Sequence, residues 1–243
     1  MRIIRYEFKY FITEVEYRQV MDCISHYLVP DPYAAKMPGY RYIVNSLYLD
    51  SPSRLYYDEK MAGMKIRKKV RMRCYDENFY NAGVYFAEIK GRDENHIDKL
   101  RVKMPADDFH QFMGQDFYNC PLEYLGNGSE ESDIMSQLLY FTNAHVLTPE
   151  VFICYEREAY IAENDDSVRV TFDRYVTSER FVSQFGPIRV NQASIFPGQI
   201  ILELKVKTLL PFWLHNMVKQ LGMHYESISK YCGGVESVDL LYQ

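Results

Sequence analysis

The fold is decided by the stretch Lys65-Ile66-Arg67-Lys68-Lys69-Val70-Arg71-Met72-Arg73. Read at the two-residue period of a β-strand, it places Lys65, Arg67, Lys69, Arg71 and Arg73 on one face. Ile66, Val70, Met72 and the following Cys74 lie on the other face, with Lys68 as the only exception. Two cations roughly 6–7 Å apart along such a face repel each other by about 2–3 kcal/mol at an effective dielectric constant near 20. A strand with this row of cations is therefore stable only if the row faces bulk water or an anion.

The composition describes a folded, acidic protein in which this basic strand is an exception. The chain has 243 residues, of which 47% are hydrophobic and 15% aromatic, so it can bury a sizeable core. Its net charge of −5 argues against a general attraction to nucleic acid. The five cysteines show no CxxC motif and no zinc-site spacing, which favours a reducing compartment. Without a signal-peptide core or a run of about 18 apolar residues, we expect a cytoplasmic protein with no membrane segment.

Strand patterns outnumber helical patterns. Strand candidates occupy residues 2–11, 41–50, 65–75, 83–91, 97–104, 150–162, 167–175 and 199–207. Helices are predicted from the capping box at Thr13 to about Leu28, from Pro105 to Met113, over 131–143, and from Pro211 to Leu221. The regular βαβ alternation of a parallel sheet is absent. We therefore expect an α+β fold, with an antiparallel sheet or barrel and helices packed outside it.

Several other predicted strands alternate charged and apolar residues in the same way. Examples are Lys99-Leu-Arg101, Glu88-Ile-Lys90 and Glu203-Leu-Lys205. For any single strand, a sheet with one face in water is the ordinary explanation. The excess of Arg and Lys on these faces in an acidic protein instead favours charged faces turned toward one another inside a closed barrel. A basic lumen of this kind would suit a polyphosphate chain, with a carboxylate holding a divalent cation that bridges phosphates.

Nine short motifs along the chain together resemble a known family. They are Arg5-Tyr-Glu-Phe-Lys9-Tyr, Ser46-Leu-Tyr-Leu-Asp50-Ser, Lys69-Val-Arg71-Met-Arg73-Cys-Tyr75, Glu88-Ile-Lys90, Lys99-Leu-Arg101, Tyr155-Glu-Arg157, Arg169-Val-Thr-Phe-Asp173, Leu202-Glu203-Leu-Lys205 and Ser229-Lys230-Tyr. In this order they resemble the VTC domain, the polyphosphate polymerase of the vacuolar transporter chaperone, within the triphosphate tunnel metalloenzymes. The resemblance implies one VTC-like domain over residues 1–243, folded as a closed antiparallel eight-stranded β-barrel tunnel.

The resemblance also implies a metal-dependent phosphotransferase, which moves the γ-phosphate of ATP onto a polyphosphate chain with Mn²⁺ or Mg²⁺. The phosphate-contacting bases that it implies are Lys9, Arg71, Arg73, Lys90, Lys99, Arg157, Arg169 and Lys230, with Arg101 as a further candidate. Of these, the reacting phosphates are assigned to Arg71, Arg73, Arg157, Arg169 and Lys230. Glu203 is the implied metal ligand, and Tyr155 and Ser229 match supporting polar positions. The charged strand faces add Lys69 and Lys205 for phosphate binding, and Glu7 and Glu88 as further carboxylates for metal or for orienting water.

The sequence leaves other functions open. Phosphoryl transfer relies on positioning and charge stabilisation, and a phosphate acceptor is already an anion, so a polymerase needs no general base. A triphosphatase that hydrolyses tripolyphosphate or a nucleoside triphosphate could use the same scaffold, as could a non-catalytic polyphosphate-binding module. A nucleic-acid-binding barrel is disfavoured by the acidic charge. If polymer synthesis is coupled to export, a separate membrane subunit must do that part.

Overall fold

A computed structural model describes residues 6–93, 96–113, 128–163, 165–181 and 192–241. Arg5, which opens the first family-like motif, lies outside the described residues. The strands are β1 (Tyr6–Ile12), β2 (Leu28–Pro30), β3 (Arg41–Asp50), β4 (Ile66–Cys74), β5 (Val84–Asp93), β6 (His96–Pro105), β7 (Thr148–Ala162), β8 (Asp165–Arg180), β9 (Ala193–Ser194) and β10 (Ile200–Val206). The helices are α1 (Glu14–Ile24), α2 (Leu55–Met61), α3 (Ala106–Phe112), α4 (Glu130–His145), α5 (Phe212–Gln220) and α6 (Lys230–Leu241).

The strands form an antiparallel sheet whose main path has eight members, in the order β1-β10-β8-β7-β3-β4-β5-β6. The short strands β2 and β9 pair with β7 and β8. The predicted α+β class and the eight main strands are confirmed, but the predicted closure is not. In the described part of the chain, the end strands β1 and β6 are not paired with each other, so the sheet is open. A two-residue period identifies the charged face of a strand, but the period is the same in an open sheet and in a barrel.

In the described part of the chain, all four predicted helices are present, together with two that were not predicted, α2 and α6. Thr13 and Glu16 form the expected reciprocal capping box at α1, although this helix ends at Ile24 instead of continuing to Leu28. The helix α6 contains Gly233 and Gly234, residues that ordinarily disfavour a helix interior. A Cβ added at Gly234 would lie 3.0 Å from Ile153 Cδ1 and 3.3 Å from Ser178 Cβ. Glycine therefore permits the close approach of this helix to its neighbours.

The chain divides into two compact units. Unit 1 comprises residues 1–43, 155–177 and 194–230. Its core contains apolar side chains from β1, β8, β10, α1 and α5, including Val20, Phe172, Leu204 and Leu214. Burying these side chains covers the apolar faces of the two helices and of the three strands.

Unit 2 comprises residues 44–154, 178–193 and 231–243. In β4, Val70 and Met72 are fully buried, as the alternation predicts. Ile66, at the start of that strand, is 61% exposed, so burial of the apolar face does not extend to this end. The ring of Tyr85 in β5 stacks on Phe109 of α3 with centroids 3.6 Å apart. The apolar face of this sheet segment is thus covered by helix, and the charged side chains point the other way.

Candidate functional site

The charged face of unit 2 is a grid of cations fixed by strand register. Lys69 of β4 lies directly opposite Lys90 of β5, which lies opposite Lys99 of β6. In the next row, Arg71 lies opposite Glu88, and Glu88 lies opposite Arg101. Directly opposed side chains of like charge destabilise a sheet, because their Cβ atoms are only about 4.5–5.5 Å apart. The lysine row therefore favours an anion on this face.

Glu88 is the carboxylate around which this face is organised. We call Arg71, Arg73, Glu88, Lys99 and Arg101 the Glu88 cluster. Oε2 of Glu88 lies 2.6 Å from Nη2 of Arg71 and 3.9 Å from Nη1 of Arg73. Its Oε1 lies 2.7 Å from Nζ of Lys99 and 3.3 Å from Nε of Arg101. Burial alone would raise the pKa of Glu88, which is 1% exposed, but the neighbouring Arg71, Arg73 and Lys99 hold this pKa well below its ordinary value.

Polar and aromatic groups fix the arginines of the Glu88 cluster in place. Arg73 donates from Nε to Oγ of Ser46 at 3.1 Å, and Arg71 donates from Nη1 to the hydroxyl of Tyr48 at 2.9 Å. The guanidinium of Arg101 lies 3.6 Å from the ring centroid of Phe86. Each guanidinium is therefore preorganised, which lowers the entropy lost when it binds a ligand.

Two groups on this face titrate near neutral pH. Burial and the charges of Arg71 and Arg73 lower the pKa of Lys99 to about 7, against the opposing effect of Glu88. Burial would raise the pKa of Tyr48, but Arg71, Arg73 and Lys69 lower it to about 7. The two shifts differ in cause: partial burial is the main reason for the lowered pKa of Lys99, whereas the neighbouring cations lower the pKa of Tyr48 against the effect of burial.

Unit 1 carries a second charged face, in which acids and bases alternate. We call Glu7, Lys9, Arg157, Asp173, Glu203, Lys205 and Lys230 the Glu203 cluster. Register places Glu7 opposite Lys205 and Lys9 opposite Glu203. Nζ of Lys9 lies 3.0 Å from Oε1 of Glu7, and Nζ of Lys205 lies 3.2 Å from Oε1 of Glu203. This face is close to charge balance, in contrast to the Glu88 cluster.

Asp173 is a buried anchor that sequence reasoning missed. Its carboxylate, with 0% exposure, accepts from Nε of Arg157 at 2.6 Å and from Nη2 at 2.7 Å. The Nζ of Lys230 lies 2.5 Å from its Oδ2. Burial opposes ionisation, but Arg157 and Lys230 lower the pKa of Asp173 to about 2. The only sequence signal was its place at the end of the Arg169-to-Asp173 motif, because the pairing with Arg157 depends on tertiary contact.

Arg169 has an anchor of its own in Asp31, another residue that sequence reasoning missed. Nη2 of Arg169 lies 2.6 Å from Oδ2 of Asp31, whose Oδ1 accepts from the backbone N–H groups of Tyr33 and Ala34. Among the described residues, the buried Nε of Arg169 has no hydrogen-bond partner. A donor of this kind is suited to an incoming oxygen ligand.

Tyr155 and Ser229, the two predicted supporting positions, also lie in unit 1. The ring of Tyr155 is buried and contacts two cations, with Lys230 Nζ 4.8 Å and Arg157 Cζ 5.2 Å from its centroid. Ser229 is partly buried and directly precedes α6. The predicted roles of these residues, like those of the other candidate residues, stay predictions.

The carboxylates can supply a small number of metal ligands. In the ranges that the structure describes, no group of three or more His, Cys, Asp and Glu side chains is arranged to hold a metal ion. Glu203 is buried, and its pKa lies well below its ordinary value: burial raises it, whereas Lys205, a side-chain hydrogen bond with Glu7, Lys9 and Arg157 lower it. Mg²⁺ is commonly held by one or two carboxylates together with substrate phosphates, so this pair fits such an ion.

The described strands form an antiparallel sheet, and one of its faces carries a row of cations. A model of the VTC domain family matches residues 4–239. The chain belongs to the VTC domain family, which confirms the recognition made from the nine motifs. No curated protein matches the chain.

Solved structures are similar to this chain at low sequence identity. A Bacillus halodurans protein provisionally named an adenylate cyclase is 8% identical, with a TM-score of 0.54 and 94% of each chain covered. A Hippeastrum protein provisionally named an adenylyl cyclase, for which a dominant triphosphatase activity is described, is 12% identical with a TM-score of 0.48. That comparison covers 96% of this chain and 95% of the other. In the described part of the chain, no helix is both long and apolar enough to cross a membrane.

Proposed function

We propose that this VTC-family domain is a metal-dependent polyphosphate polymerase, which transfers the γ-phosphate of ATP to a polyphosphate chain. The observation that carries the proposal is the row Lys69-Lys90-Lys99 beside the row Arg71-Glu88-Arg101. Two parallel rows of cations suit a linear polyanion, since every phosphate unit of the chain carries negative charge. Arginine adds paired N–H donors, and lysine adds point charges that tolerate a sliding chain.

The Glu88 cluster is assigned to phosphate binding. Arg71 and Arg73 would contact phosphate oxygens directly, and Glu88 would hold their guanidinium groups apart when no phosphate is bound. Four cations surround this one carboxylate. This makes Glu88 a better anchor for cations than a metal ligand, because a divalent cation would have to enter among positive charges.

The Glu203 cluster is assigned to the metal and to the reacting phosphates. Glu7 and Glu203 would hold Mn²⁺ or Mg²⁺. Such an ion would supply positive charge that offsets the charge developing on the phosphates during transfer. Arg157 and Lys230, both oriented by Asp173, would stabilise the same charge, and Arg169 would contribute its Nε.

The chain's own residues then perform positioning and charge stabilisation. The acceptor, inorganic phosphate or the end of a polymer, is already an anion, so the reaction needs no general base. The partners of the domain are therefore ATP and inorganic polyphosphate. Export of the polymer would require a separate membrane subunit.

Product analysis tests the proposal. Purified protein is incubated with ATP and Mn²⁺, and the products are separated on a gel stained for polyphosphate. Long polymer is the expected result. Free phosphate without polymer would identify a triphosphatase instead, and tight polyphosphate binding without turnover would identify a non-catalytic binding module.

A matched pair of variants tests the metal assignment. Glu203→Gln removes a predicted ligand but keeps its size, and we expect a loss of turnover of at least about 100-fold with much of the phosphate binding retained. Glu156→Gln, on the neighbouring strand β7, removes a carboxylate whose ion pair is with Arg41 at 3.5 Å, and should leave turnover unchanged. If both variants kept the parental turnover with metal supplied, the role assigned to Glu203 would be wrong.

A further inference from the structure

Tyr48 holds a buried hydroxyl that accepts a hydrogen bond but has nothing to donate to. It lies in β3 directly opposite Arg71, is 6% exposed, and its oxygen accepts from Nη1 of Arg71 at 2.9 Å. A phenol also carries one proton to donate. Among the residues that the structure describes, none accepts that proton, although buried polar groups are nearly always paired.

The side chains that face Tyr48 explain why the protein itself supplies no acceptor. From β4 it faces Lys69, Arg71 and Arg73, which are donors without acceptor atoms. From α6 it faces the ring of Tyr231, stacked with centroids 5.2 Å apart and an interplanar angle of 24°. The hydroxyl of Tyr231 itself donates to Asp50. In the free protein the acceptor for the proton of Tyr48 can be water, and the adjoining cations favour its replacement by an anionic oxygen of a ligand.

We propose that Tyr48 binds the ligand directly, donating a hydrogen bond to a phosphate oxygen held by Arg71 and Arg73. This inference deepens the proposed function, on which it rests for the identity of the ligand as a phosphate chain. The same hydroxyl accepts from Arg71, so it links the guanidinium to the phosphate and fixes the angle between them. Tyr48 thereby favours anions that offer a well-placed oxygen acceptor over anions that offer charge alone.

The electrostatics of the free protein agree with this geometry. The three cations lower the pKa of Tyr48 to about 7 although burial opposes the shift. A bound phosphate chain offsets those cations and also accepts the proton in a hydrogen bond, and both effects raise the pKa again. Ligand binding should therefore return a proton to any Tyr48 that had lost it.

The first test is calorimetric titration with tripolyphosphate in the absence of metal. Tyr48→Phe removes only the hydroxyl and keeps the ring that stacks on Tyr231, so the fold should persist. We expect its affinity to fall by about tenfold or more, as for a lost hydrogen bond to a charged group. Tyr57→Phe is the matched control, since it removes a hydroxyl that donates to Glu236, and its affinity should equal that of the parent.

The second test follows the near-ultraviolet absorbance of tyrosinate in the parent protein, and it does not depend on the variant folding. This absorbance should rise as the pH passes about 7, and saturating tripolyphosphate should suppress it. Tyr48→Phe, where folded, should show neither change. Equal affinity of parent and Tyr48→Phe, or a tyrosinate signal that the ligand leaves unchanged, would overturn the inference. A parent that binds tripolyphosphate but makes no polymer would overturn only the proposed polymerase, and a parent that binds no tripolyphosphate would overturn both.

Discussion

The substitution Glu88→Gln should change the stability of the protein and its affinity for ligand in opposite directions. The substitution keeps the size of the side chain but removes the negative charge from among four cations. If Glu88 stands in for phosphate in the free protein, the variant should be less stable than the parent and yet bind tripolyphosphate more tightly. A metal ligand or a purely structural residue gives no reason for these two opposite changes.

The magnitudes follow from burial and distance. Breaking a buried ion pair by removing one partner costs about 3–5 kcal/mol. Lys99 and Arg101 are 43% and 34% exposed, so solvent screens part of the loss, and we expect a destabilisation of about 2–3 kcal/mol. For a chain of this size that corresponds to a fall in Tm of about 5–10 °C. Removing the repulsion between Glu88 and a phosphate about 4 Å away can account for roughly a tenfold gain in affinity.

The assay is a thermal melt with and without tripolyphosphate, combined with calorimetric titration. Ligand at 100 times its Kd stabilises a protein by about 2.7 kcal/mol, which should restore most of the lost Tm. Glu77→Gln removes an exposed carboxylate of the same unit and should change neither quantity. An affinity that falls together with the stability would refute the reasoning. Turnover that requires a much higher metal concentration than in the parent would restore Glu88 as a metal ligand.

Two further predictions concern pH. The pKa of Lys99 is lowered to about 7, so the side chain is charged below this pH and loses its charge above it; titrations should show parental affinity for tripolyphosphate falling as the pH rises through 7. The arginine of Lys99→Arg keeps its charge, so the affinity of this variant should fall less as the pH rises. An equal fall in affinity would show that Lys99 does not cause the pH dependence. The pKa of Asp173 is lowered from 3.8 to about 2, so its stabilisation of about 2 kcal/mol is complete above pH 3.8 and is lost as the pH falls through 2. Denaturant unfolding of Asp173→Asn should give a lower free energy of unfolding at neutral pH than that of the parent, and a smaller decrease of this free energy in acid. A decrease in acid equal to that of the parent would contradict the stabilising role of ionised Asp173.

The alternation within single strands was predictable because it depends only on the two-residue period. Val70 and Met72 are buried and Arg71 faces the other side, as the pattern of β4 predicts. The charged face of β6, with Lys99 and Arg101, follows by the same rule. Whether the sheet closes was not predictable, because closure depends on the pairing of β1 with β6, two strands far apart in the sequence.

Pairs between distant residues could not be predicted from one sequence. Asp173 meets Arg157 across 16 positions, and Asp31 meets Arg169 across 138. The sequence gives the charges of these side chains but not the register that brings them together. The helix α6 was missed for a related reason, because Gly234 is unfavourable locally and becomes useful only where the helix packs closely.

The row Lys69-Lys90-Lys99 has a practical consequence for anyone who handles this protein. The melting temperature of the protein should depend on the anions of the buffer, because different anions screen or occupy the lysine row to different extents. A melt recorded in phosphate buffer should overstate the robustness of the same preparation in a dilute, weakly binding buffer. If the proposed function is correct, phosphate polymers in a cell would stabilise the domain in the same way.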